Sequence, residues 1–93
     1  MRVVDAIRYA EDFTTGGSLR GETINIPPGG AWRMGQLPYE YVDVMNDTGT
    51  NYIVFSYATP IAWRGLDDEW TVPDVSYSVT TSAQQSIVRQ AVG

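Results

Sequence analysis

"YEYVDVMNDTGTNYIVFSYATPIAW", residues 39–63, holds the reading on which the fold depends. It contains "YIVFSY" at 52–57, a run of aromatic and β-branched side chains that fits a pleated, half-buried surface better than any other stretch. Ahead of it, "YEYVDVM" sets Tyr39 and Tyr41 on one side of an extended backbone and Val42 and Val44 on the other, the pattern of a strand that meets protein on both faces. "NDTGTN" between the two runs is dense in turn-forming residues, so they read as a hairpin. In "YATPIAW", 57–63, Pro60 fixes φ and removes a donor, which predicts a corner where the ladder changes partners. Ile61 and Trp63 then point to one face, with Ala62 small between them.

Downstream, "GLDDE" reads as a turn and "WTVPDVSYSV" as a returning strand, which Pro73 confines to an edge or a bulge. "TTSAQQSIVRQAVG" puts Ala83, Ile87, Val88 and Ala91 on one helical stripe, with Gly93 past the last turn. Thr81 with Gln84, and Ser82 with Gln85, both have capping-box spacing. Upstream, "AWRMGQLP" shows no period and reads as a loop or irregular edge holding Trp32, and "PPGG" ends a strand over "SLRGETINI". "TTGG" breaks the chain before that strand. Residues 3–12 fit a short amphipathic helix in which Arg8 can pair with Asp5 and Asp12. The fold expected is α+β: a small, mainly antiparallel sheet of about four to six strands, a C-terminal helix on one face and a short N-terminal helix.

A chain of 93 residues buries on the order of 9,500 Å² of surface, enough for one core, so a single domain over residues 1–93 is expected. Cysteine and histidine are both missing, which removes disulfides, thiolate metal sites, cysteine nucleophiles and imidazole bases together. No stretch approaches the roughly 18 apolar residues of a membrane span, and "MRVVDAIRYAEDF" has charges where a signal peptide needs apolar residues. A cytoplasmic protein is expected. Eleven acidic and six basic residues give a net charge of −5, which disfavours phosphate backbones as partners. Every basic residue is arginine, at 2, 8, 20, 33, 64 and 89. A GC-rich genome accounts for that bias, and arginine also suits fixed, planar contacts better than lysine.

Asp67, Asp68 and Glu69 form the densest carboxylate cluster. Magnesium or calcium is its natural ligand type, but no spacing matches a calcium loop, and a solvated turn is the simpler reading. Glu40, Asp43 and Asp74 could divide acid and base roles as hydrolase carboxylates do, yet nothing in the spacing brings them together. Tyr57, Trp63, Trp70 and Tyr77 could stack on bases, and strand alternation explains them better as core. Thr80, Thr81 and Ser82 could meet an anion, with self-capping the commoner use. No cofactor or metal site is expected. Trp32, beside Arg33 in an aperiodic segment, is the best candidate for an exposed aromatic anchor. Trp32, Arg33, Asp67, Asp68 and Glu69 are therefore the candidate partner-binding residues.

"YIVFSYATPIAWR" followed by "EWTVPDVSYSVTTSAQQSIVRQAV" resembles a small family of actinobacteria and their phages. Its pattern runs Tyr, Ser-Tyr, Thr-Pro-Ile-Ala-Trp, then Trp, Pro-Asp, Tyr-Ser-Val-Thr-Thr-Ser and Gln. The resemblance covers about residues 52–92 and implies a source, not an activity. Where that pattern commonly has Lys-His this chain has Ala83 and Gln84, so any activity of that pair is expected to be missing. The functional expectation is a non-enzymatic, phage-type accessory protein that binds a host or phage protein, one version being an inhibitor of a host nucleic-acid-handling or defence system. The alternatives are a nucleic-acid binder using Arg33, Arg64 and Arg89, and a homo-oligomeric structural protein.

Overall fold

A computed structural model describes residues 2–30, 38–73 and 79–92, with the backbone alone for 79–82. Five strands, β1 (Phe13–Thr14), β2 (Leu19–Ile26), β3 (Thr50–Ser56), β4 (Thr59–Gly65) and β5 (Trp70–Thr71), lie side by side in chain order, each antiparallel to the next. Helices α1 (Val3–Arg8) and α3 (Val79–Val92) share one face, where Ile7, Val88 and Ala91 pack on Leu19, Tyr52, Val54, Ile61 and Ala62. Helix α2 (Tyr39–Thr48) covers the other, where Val42 and Met45 pack on Ile26, Ile53, Phe55 and Trp63. The α+β class, the antiparallel sheet and the two terminal helices are as the sequence predicts, and α2 is an addition.

Residues 39–45 are the main correction. They are helical because Tyr41, Val42 and Met45 make an inward stripe at helical spacing, while Tyr39, Glu40, Asp43 and Val44 face outward. Pro38 enters the helix at φ −59 and Gly49 leaves it at φ 73, so the segment read as a hairpin turn is a helix end. β3 consequently pairs with β2 and β4.

The expected corner at Pro60 is a bulged hairpin. Ser56 faces Thr59 across the ladder, which leaves Tyr57 and Ala58 as a two-residue loop. Phe55 faces Pro60 and Val54 faces Ala62, so Ile61 is an extra residue on β4. That insertion breaks alternation, sending Ile61 and Ala62 to the α1/α3 side and Trp63 to the α2 side. Ile61 and Trp63 therefore do not share a face.

Other boundaries move for local reasons. Helix α1 stops at Arg8, four residues early, because Ala10 adopts φ 53 and the amides of Ala10 and Glu11 turn back to the carbonyls of Ile7 and Ala6. Asp12 is then out of reach of Arg8, and its carboxylate accepts the Thr23 amide at 2.5 Å. Arg8 keeps Asp5 at 3.6 Å and donates from Nε to the Ala91 carbonyl at 3.3 Å, a cation at the negative end of α3. "FTTGG" forms β1 and the loop to β2, with Phe13 opposite Gly21. A Cβ at Gly21 would lie closer than 3.0 Å to the Tyr52 hydroxyl and the Phe13 ring, so only glycine fits.

Helix α3 begins at Val79, which places Thr81 and Ser82 inside it rather than at its cap. Their proposed partners make tertiary bonds instead. Gln84 accepts from the Ser56 hydroxyl at 2.5 Å and donates to the Ser18 hydroxyl at 2.7 Å, and buried Gln85 donates to the Pro73 carbonyl at 3.1 Å. Ala83 is exposed, so the buried stripe is Gln85, Val88 and Ala91. Of the strand expected over 70–79, Trp70 and Thr71 are extended, Val72 and Pro73 are not, Val79 is already helical, and 74–78 lie outside the described residues.

Candidate functional site

Helix α2 has Glu40, Asp43 and Asp47 on its outer face and contains no basic residue. Spacings of three and four bring these carboxylates to one side, around a Val44 that is 38% exposed. Asp47 sits in the last turn, where the helix dipole disfavours an anion, and Asp43 repels it from one turn back. Glu40 in the first turn suits the dipole, whereas Asp47 works against its own helix.

The loop between β4 and β5, residues 66–69, lies against the end of α2. A Cβ on Gly49 would meet the Leu66 side chain at 2.7 Å, and one on Gly65 would meet the Thr48 hydroxyl at 2.9 Å. Leu66, 46% exposed, thus joins the helix end to the exposed carboxylates of Asp67, Asp68 and Glu69. Asp67 accepts the Glu69 amide at 3.1 Å, and Asp68 takes φ 64, a conformation aspartate tolerates. Arg64 holds Asn51 at 3.0 Å and lies 3.8 Å from Asp68. Six of the chain's eleven carboxylates therefore run along α2 and on into this turn.

Asp67, Asp68 and Glu69 are thus brought together with Glu40, Asp43 and Asp47, which a strand over 39–45 and a turn over 46–51 would have scattered. Helical spacing at 40, 43 and 47 is the signal that finds them. Trp32 and Arg33 lie outside the described residues, as do Asp74 and Tyr77. Among the described residues no group of three or more Asp or Glu could hold a metal ion. Trp63 is buried, and Trp70 packs edge-on against Tyr52 with ring centres 5.8 Å apart. Tyr57, expected in the core, is 68% exposed because it forms the β3–β4 loop.

Several arginines make the fixed, planar contacts for which arginine is suited. Arg20 stacks 4.2 Å over the Phe55 ring and lies 3.7 Å from Glu22. Both line a shallow groove of about 360 Å³ with Asp12 and Thr14, in which cation and carboxylates offset one another. The Thr23 hydroxyl and amide hold the Asp12 carboxyl below its usual range. Burial pushes the Tyr52 hydroxyl well above its usual range, with the Asp12 and Glu11 carboxylates adding to the effect. Both shifts move these groups away from neutral pH, where a general acid or base operates.

No helix among the described residues is long and apolar enough to cross a membrane. No curated protein and no solved structure matches the chain. The profile of a family of unknown function (DUF8033) matches residues 29–83, a stretch that takes in the whole acidic face and leaves out α1, β1 and β2. It extends upstream of residue 52, into a segment for which the sequence reading found no resemblance. With 55 of 93 residues matched (29 to 83 inclusive), the chain belongs to this family of unknown function, DUF8033.

Proposed function

We propose that this chain is a non-enzymatic accessory protein, of phage or actinobacterial origin, that acts in the cytoplasm by binding another protein through its acidic face. The observation behind this reading is the continuity of carboxylates from α2 into the 66–69 turn, with Val44 and Leu66 exposed among them. Apolar side chains within a charged surround supply contact area, and the charge sets partner choice and encounter rate. Asp47 supports the reading as well, because a carboxylate at a helix C-terminus costs stability and so has no folding rationale. The partner is a protein with a basic surface, such as a nucleic-acid-handling or defence factor whose phosphate-binding groove this face would occupy. The source rests on the resemblance over 52–92.

Affinity capture from an actinobacterial lysate tests the reading, using the wild-type chain and a D43N/D47N/D67N/D68N variant. A specific basic partner, retained at low ionic strength and lost with added salt and in the variant, is the expected result. No partner, or one held equally by the variant, overturns the proposal.

A further inference from the structure

We propose that the end of the sheet opposite the acidic turn is a second contact surface, at which two copies of this chain meet around Tyr57. Tyr57 is the first residue of the two-residue β3–β4 loop and has φ 57, in the left-handed region. That position is ordinarily filled by glycine, asparagine or aspartate, since a bulky side chain there is strained. The ring is nonetheless 68% exposed, so neither turn geometry nor core packing explains it.

Its surroundings are cross-linked by hydrogen bonds and uncharged. The Tyr57 amide donates to the Ser18 carbonyl at 2.8 Å, and Gln84 bridges the hydroxyls of Ser18 and Ser56, which locks the β1–β2 loop, the β3–β4 loop and α3 together. The sequence has no charged residue over 13–19, 51–63 or 79–88, the segments that supply these elements. The nearest charge along the ladder is Arg20, opposite Phe55 and beside Glu22.

The lack of charge selects the occupant. Each copy has a net charge of −5, and contact through α2 or the 66–69 turn would set carboxylates against carboxylates. Two copies can approach at the Tyr57 end without that repulsion, and a twofold axis there places each ring against the other copy's loop. Rigid tyrosine among serine, threonine and glycine also orders little on binding. This contact is independent of the acidic face.

Sedimentation velocity over a concentration series tests it. The wild-type chain should form a dimer that strengthens with added salt, because salt screens the repulsion between like-charged copies. Tyr57→Gly and Tyr57→Asn both accept φ 57, so each should stay folded with a thermal midpoint at or above wild type at a dilution where wild type is monomeric, while self-association weakens by about thirtyfold. A wild-type chain that stays monomeric, a dimer unchanged in both variants, or one that weakens with salt would overturn the proposal.

Discussion

Tyr52 donates its hydroxyl hydrogen to the Glu11 carbonyl at 2.7 Å, tying the middle of the sheet to the segment that leads out of α1. The side chain is fully buried, and it packs beneath Trp70 and over Gly21. Tyr52→Phe keeps the packing and removes the bond, at a cost of about 1 kcal/mol in urea unfolding. The pH dependence has a definite sign. Burial raises the hydroxyl's pKa above its ordinary value of 10.0, so the folded chain holds this proton more tightly than the unfolded one. Its contribution is fully present below the unfolded pKa and is lost as pH rises toward the folded one. Unfolding free energies measured across that alkaline range should fall more steeply for wild type than for Tyr52→Phe.

Thr50 is a local defect. Its hydroxyl is buried with no hydrogen-bond partner among the described residues, while its backbone pairs with both Ile26 and Gly65. Thr50→Val replaces that hydroxyl by a methyl of similar shape and should raise stability by about 1 kcal/mol, read as a higher urea midpoint at unchanged slope.

Gly21 has no room to vary. Gly21→Ala would push against the Tyr52 hydroxyl and the Phe13 ring, displacing β1 and the Tyr52–Glu11 bond together. The expected loss is about 1–3 kcal/mol by chemical denaturation. A neutral outcome would mean that β1 separates from β2 at little cost.

Asp47 offers a variant in which stability and binding move in opposite directions. Asp47→Lys places a cation in the last turn of α2 and four residues after Asp43, which should stabilise the chain by about 0.5 kcal/mol. Retention of the basic partner should fall in the same variant. Thermal melts and salt-graded capture on one preparation read both effects.

The legible elements were those whose local chemistry had one solution. β3 is a run of side chains that suit only a strand, the 66–69 turn holds its own Asx bond, and α3 has a long helical period. The segment 39–45 was ambiguous because Tyr and Val alternate there while Tyr41, Val42 and Met45 also keep helical spacing. Strand propensity favoured the wrong period, and Pro38 and Gly49 at the two ends were the evidence on the other side. The β4 bulge was hidden because it depends on how Pro60 sits opposite Phe55, a tertiary fact. Two misreadings bore on function. The hairpin reading of 39–57 hid half of the acidic face, and strand alternation over 52–57 put Tyr57 in the core.

Amide hydrogen exchange on the chain, free and bound to its captured partner, tests the acidic contact most directly. Slower exchange in the complex over the C-terminal half of α2 and over 65–70, with the β1–β2 hairpin unchanged, is the predicted result. Protection confined to 13–22, with α2 and the 66–69 turn exchanging as in the free chain, would contradict it.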